Sequence, residues 1–178
     1  MSEETLVIIK PDGVARGLVG PLLARFEAVG LVISRMQLRS ASRDLVEAHY
    51  PPEREWLLSV GVKTLSDYEK RGLDPRDAFG TEVPEEIGRI VLGWLHSYLQ
   101  EGPIVPVILT GNDAVAVVRK LIGDTLPSNA APGTVRGDYG IDSATQAARE
   151  RRAVRNLVHA SGSLEEASRE CRLWFDSK

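Results

Sequence analysis

Apolar positions change their period repeatedly along this chain, and each change marks an element. Residues 5–9 are a compact β-branched run of strand length. Lys10-Pro-Asp-Gly13 then reads as a turn, because Pro11 cannot continue a ladder and Gly13 permits a tight bend. Leu22, Leu23, Phe26, Val29 and Leu31 recur at helical spacing, with Gly30 as the stop. Residues 31–38 alternate as a strand, and residues 42–50 form a helix capped by Ser42 and ended by Pro51 and Pro52. From Pro52 to Glu101 the pattern is mostly helical, interrupted by loop signals at 72–75 and 79–84. Trp56, Leu57, Val60 and Leu65 share one face there. Ile87, Ile90, Val91, Trp94, Leu95 and Tyr98 form a second stripe behind Pro84, which suits a first helical turn.

Residues 104–109 return to strand despite Pro106, and a helix follows from Asn112 or Asp113 to Gly123. Residues 124–140 carry Pro127, Pro132 and several glycines, a composition that forbids regular helix. Asn156, Leu157, Val158 and His159 form a short buried strand. Ser163-Leu-Glu-Glu166 opens the final helix as a capping box, with Leu164, Ala167, Cys171 and Trp174 on one face. Taken in order, these elements predict an α+β fold: a ferredoxin-like βαββαβ sandwich, its antiparallel sheet packed by helices, with an inserted helical segment.

The length of 178 residues suits one well-cored domain, 1–178. A net charge of −3 argues against a general nucleic-acid or membrane surface, so any anion-binding cations must be gathered at one place. The single cysteine, Cys171, rules out intramolecular disulfides and thiolate metal cages. The acidic start lacks the charge and apolar core of a signal peptide, and no apolar run reaches bilayer length, so a cytoplasmic location is expected.

The chemistry is written in few places. Glycine-rich phosphate loops, dinucleotide fingerprints and zinc motifs are missing from the sequence. If phosphate is handled, side chains must do it, and Lys10, Arg119 and Arg136 each stand beside a chain break or loop. Arg149, Arg151, Arg152 and Arg155 cluster too, but such clusters are usually solvated surface. Tyr50, at a helix end, suits either core or site. His159 sits where a strand meets a turn and a helix N-terminus, so it can offer a neutral nitrogen at physiological pH. Ser163 fits a helix cap better than a nucleophile.

Four motifs in a fixed order resemble the nucleoside diphosphate kinase family. They are Ile9-Lys-Pro-Asp-Gly-Val14 with Arg16-Gly-Leu-Val-Gly20, Arg119-Lys-Leu-Ile-Gly-Asp-Thr125, Pro132-Gly-Thr-Val-Arg-Gly-Asp138 and Asn156-Leu-Val-His-Ala-Ser161, before a closing Leu173-Trp-Phe175. The resemblance implies ping-pong transfer of a γ-phosphate from a nucleoside triphosphate to a nucleoside diphosphate through a phosphohistidine at His159. It further implies that Glu170 fixes the attacking tautomer and that Ser161 sets a hydroxyl beside the nucleophile. Lys10, Tyr50, Arg119, Thr125 and Arg136 match phosphate-binding positions, and Asn156 with Lys10 the sugar contact. Mg2+ would arrive on the nucleotide, without a dedicated protein cage. Homo-oligomerisation is implied as well, with no membrane and no specific nucleic acid as partner.

Departures from the family pattern are also visible. A helical insertion falls within residues 52–101, where the family keeps its aromatic base clamp, and Trp56 is the nearest aromatic in this chain. A second short insertion covers residues 143–153. Ala160 and Gly162 stand where the family has Gly and Asp, and that Asp can help organise the metal's water. Two other readings stay open at this point: a non-catalytic nucleotide-binding module on the same fold, and a serine hydrolase using Ser161 or Ser163, the latter without a G-x-S-x-G elbow.

Overall fold

The sheet is built outward from β1 (Glu3–Ile9), whose last five residues are all buried. In this computed structural model, which describes residues 2–176, β1 pairs antiparallel with β3 (Val105–Gly111) and β4 (Val158–Ala160). β2 (Val32–Met36) adds to the free side of β3, giving the order β2-β3-β1-β4. Met1, Ser177 and Lys178, at the ends of the expected domain, lie outside the described residues. A central strand buried on both faces must be apolar throughout, which is why residues 5–9 carry no alternation. Pro106 is tolerated inside β3: it stands opposite Ile8, and its carbonyl still accepts from the Gln37 amide at 3.2 Å.

Period-two geometry sorts the strand residues onto two faces. Val7, Ile9, Val107, Leu109 and Val158 pack against α2 (Val19–Ala28) and α7 (Ala114–Ile122) through Leu22, Phe26, Val118 and Ile122. Leu6, Ile8 and Ile108 face α3 (Arg43–His49) and α10 (Leu164–Phe175) through Val46, Cys171 and Trp174. Ser42 caps α3 through the Leu45 amide and Ser163 caps α10 through the Glu166 amide. The α+β architecture is as the periodicity predicts, with helices covering both faces of the sheet.

Two local expectations need correction. Lys10-Pro-Asp-Gly13 does not simply turn but starts a short helix, α1 (Pro11–Ala15), because Pro11 at the first helical position already has the required φ. Residues 124–140 also contain a helix, α8 (Val135–Tyr139), capped by Thr134 onto the Gly137 amide. Both prolines lie before α8, so their power to break a helix ends short of it.

Residues 52–101 fold as α4 (Arg54–Lys70), α5 (Pro75–Phe79) and α6 (Pro84–Gln100). α4 and α6 touch backbone to backbone: a Cβ on Gly61 would lie 1.9 Å from the Pro84 carbonyl oxygen, and one on Gly88 2.2 Å from that of Leu57. Gly88→Ala is therefore expected to force the helices apart and to cost roughly 1–3 kcal/mol, read as a lowered Tm. An unchanged Tm would mean the hairpin opens without cost. α5 packs near α9 (Ala144–Arg149), so the two segments expected as insertions meet each other. Among the described residues, no helix is long and apolar enough to cross a membrane.

Candidate active site

The site grows from a strained stretch of backbone. Leu157, fully buried just before β4, has φ 69°, a left-handed conformation that branched side chains avoid. Three hydrogen bonds hold it there: Lys10 N to Leu157 O at 2.8 Å, Leu157 N to Asp12 Oδ2 at 3.2 Å, and Val158 N to Asn156 O at 2.8 Å. Gly13 makes room, since a Cβ on it would come 3.2 Å from the Leu157 carbonyl oxygen. Strain over-determined in this way is characteristic of functional sites. Its result is to deliver His159 at the end of the sheet, opposite Ile8.

His159 Nε2 lies 2.9 Å from Glu170 Oε2, and Ser161 Oγ donates to the same oxygen at 2.7 Å. A carboxylate only accepts, so Nε2 carries the proton and Nδ1 holds the lone pair. Tyr50 Oη is 3.3 Å from Nδ1. Burial pushes the phenol of Tyr50 above its usual range, so it stays a donor. Burial, reinforced by Lys10, Arg136 and Arg119, holds His159 well below its ordinary pKa, while Glu166 opposes the shift. Burial also raises Glu170. The imidazole is therefore neutral near pH 7, with 12% of its side chain exposed and one nitrogen prepared as a nucleophile.

The other expected residues gather around it unequally. Lys10 Nζ donates to Asn156 Oδ1 at 2.8 Å, and Asn156 Nδ2 donates to the Thr125 carbonyl at 3.0 Å, tying three of them into one chain. The Thr125 side chain itself is exposed. Arg136 is buried and spends its guanidinium on backbone: Nε on Asn156 O, Nη1 on Gly123 O and Asp124 O, Nη2 on Val158 O. Burial and then Arg119 pull it down to about 10, still charged at neutral pH. With most of its donors engaged, it contributes positive charge and one free N–H more than a fork. Arg119 is exposed at the last turn of α7 and makes no hydrogen bond or ion pair among the described residues. It is the cation freest to move.

Several site residues carry no local signal in the sequence. Tyr98 of α6 lies under Lys10, with Nζ 5.0 Å from its ring centroid, and its hydroxyl donates to Asp12 Oδ1 at 2.6 Å. Glu166 was readable only as a cap; its Oε2 accepts the Gly162 amide at 2.6 Å and would lie 2.8 Å from a Cβ on Gly162. A carboxylate thus occupies the space beside Gly162, and Ala160 is core. Trp56 stands 6.4 Å from the Tyr50 ring, at the margin of the site. His49 is buried edge-on against His159, with ring centroids 4.5 Å apart. Two of the four arginines of the basic cluster are paired: Arg152 with Asp142 and Glu150, Arg155 with Glu101.

Among the described residues, His49, His159 and Glu170 are the one trio with metal-ligating atoms this close together. Two imidazoles and a sunken carboxylate do not suit Mg2+, which prefers oxygen ligands and keeps much of its water.

The family model for nucleoside diphosphate kinase matches residues 3–57 and 85–178, leaving out much of α4 and all of α5. A nucleoside diphosphate kinase of Pyrobaculum aerophilum is 53% identical over 173 residues, covering 97% of this chain and 94% of that protein. The crystal structure of an NDP kinase from the same organism superposes with a TM-score of 0.94 at 51% identity, covering 98% of this chain and 96% of that one. The enzyme from Borrelia burgdorferi, solved as a transition-state mimic with bound vanadate and ADP, gives a TM-score of 0.76 at 30% identity over 98% of this chain and 87% of its own. A cytosolic nucleoside diphosphate kinase of Dictyostelium discoideum is 34% identical, covering 97% of this chain and 84% of the relative. On sequence and fold alike, the chain belongs to the nucleoside diphosphate kinase family.

Proposed function

We propose the following route for the nucleoside diphosphate kinase activity of this chain. His159 Nδ1 attacks the γ-phosphorus of a magnesium-bound nucleoside triphosphate. The N–P bond forms as the bond to the β,γ-bridging oxygen breaks, and the diphosphate leaves with the electron pair. A second diphosphate then attacks the phosphohistidine, and Nδ1 recovers its lone pair. The observation that carries this reading is the division of the imidazole: Nε2 is bound to Glu170, and Nδ1 faces only the Tyr50 hydroxyl, which must yield on attack. Lys10, Arg119 and Arg136 supply charge to the phosphates, Thr125 and Tyr50 hydroxyls, and Asn156 with Lys10 the sugar contact. That the Borrelia burgdorferi structure holds vanadate and ADP supports nucleotides as the ligands. Release of one ADP per chain from ATP, with no acceptor nucleotide added, tests the route. A stoichiometric burst is expected, and its absence would require both nucleotides to bind together.

Lys10 gives the reaction a pH dependence. Burial, then Arg136, pushes its pKa down to about 7 against the opposing pull of Asp12. In the unfolded chain a lysine titrates near 10.4, so the buried charge costs stability below about pH 7, and that cost fades as pH rises toward 10. A bound diphosphate draws the proton back. Binding is thus expected to take up a proton and to weaken by up to about tenfold per pH unit above 7. Calorimetry in two buffers of different ionisation enthalpy measures this uptake, and Lys10→Met should remove it. Equal heats in both buffers for the unmodified chain would refute the assignment.

The chain is one kinase domain, with residues 52–101 and 143–153 as its insertions; the unmatched stretch of the family model supports the first. It acts in the cytosol, a reading supported by the Dictyostelium discoideum relative. It works as a homo-oligomer through the edge strand β2, whose Val32 and Met36 are 63% and 50% exposed, with Leu38 beyond it at 69%. Light scattering tests that assembly, and a monomer at all concentrations would reject it.

A further inference from the structure

Behind the nucleophile lies a second imidazole that the route above does not use. His49, the last residue of α3, has its side chain fully buried. Its ring stands edge-on to His159, at 84° and 4.5 Å between centroids, and meets Tyr50 and Trp174 at 4.4 and 5.4 Å. Trp174 Nε1 donates to His49 Nδ1 at 3.2 Å. An indole nitrogen can only donate, so Nδ1 must accept, and the proton of the neutral ring sits on Nε2. Among the described residues Nε2 has no partner, an orphaned buried donor of the kind that costs stability and therefore calls for a reason.

The reason lies on the other side of Nδ1. Glu170 Oε1 is 3.4 Å away, facing a lone pair already engaged by the indole. Arg169 Nη2 lies 3.7 Å from the same oxygen, and the Glu166 carboxyl is a further neighbour of the group. Oε2, by contrast, receives both the His159 and Ser161 donors. One oxygen of the carboxylate is turned to an acceptor and the other to two donors, so the negative charge is directed at His159. His49 also keeps the indole N–H occupied. Without it, the two groups now facing Nδ1 would be left to each other, and the carboxylate would be drawn toward Trp174.

We infer that His49 is a positioning residue, holding the Glu170 carboxylate turned toward His159 and fixing the His159 ring by its edge. The inference rests on the kinase reading above. It concerns the chemical step and not the grip on nucleotide, because His49 lies behind the imidazole, away from its exposed edge. His49→Phe keeps the aromatic edge and removes the acceptor. His49→Asn offers an amide oxygen near the place of Nδ1.

Single-turnover phosphorylation by ATP, nucleotide titration and 15N spectra of the imidazoles form the test. The Phe variant is expected to phosphorylate about 10- to 100-fold more slowly with nucleotide affinity within about twofold, and the Asn variant to recover most of that rate. In the unmodified protein, His49 should show the Nε2–H tautomer. The inference is overturned by a Phe variant that phosphorylates at the unmodified rate, by rate and affinity falling together in both variants, or by a proton on Nδ1. If the Phe variant does not fold, the Asn variant and the spectrum still decide. Failure of the unmodified chain to take phosphate would instead overturn the kinase reading, and the tautomer would still report on His49.

Discussion

Replacing His159 by Ala is expected to abolish phosphoenzyme formation, a loss on the order of 10⁴-fold or more, with nucleotide affinity held within about threefold. The asymmetry follows from where the contacts sit. Of the residues assigned to phosphate and sugar, Lys10, Arg136 and Asn156 are held by each other and by backbone carbonyls, and Tyr50 alone touches the imidazole. Single-turnover labelling and calorimetry on the variant give the two numbers. Acid-labile label persisting in His159→Ala would move the nucleophile elsewhere, and His49 would be the first suspect, with its ring 4.5 Å from that of His159.

Glu170→Gln is expected to slow the first half-reaction by a factor on the order of 10 to 1000 while the protein folds normally. The amide fits the place. Its oxygen can accept from His159 Nε2 and Ser161 Oγ as Oε2 does, and its NH2 would meet His49 Nδ1 where Oε1 now lies 3.4 Å away. Only the charge is lost, and charge is what steadies the imidazole as positive character develops during attack. Glu166→Gln is the comparison: its carboxylate accepts the Gly162 amide, so the change should mainly cost stability, about 1 kcal/mol or less. If Glu166→Gln slowed phosphorylation and Glu170→Gln did not, the roles of the two acids would be reversed.

What could be read from the sequence follows the range of the forces involved. The strands, the capped helices and the antiparallel α+β layout came from period and capping, which act over a few residues. Glu170's place beside His159 came from the resemblance, and the register that Ser163 gives α10 agrees with it, since two helical turns carry the acid back to the strand end. α8 was missed because a proline and glycine count gives a segment's composition and not where its breakers fall relative to Thr134.

His49, Tyr98 and Asp12 were beyond reach for a different reason. Each joins the site through a contact spanning 86 or more positions, which local pattern does not encode. Arg136 showed its charge but not its burial, so its commitment to four carbonyls could not be foreseen. The helical character of residues 52–101 was visible in the sequence, yet the close backbone approach through Gly61 and Gly88 is written only in three dimensions.

The central claim is that His159 carries the phosphoryl group between nucleotides. The measurement nearest to it is the intact mass of the unmodified chain after incubation with magnesium and ATP, quenched in alkali, followed by site mapping. The account predicts a gain of one phosphoryl group on His159, lost on acid treatment and discharged by adding a nucleoside diphosphate. Bound nucleotide with no gain in mass, or an acid-stable ester on Ser161 or Ser163, would contradict it.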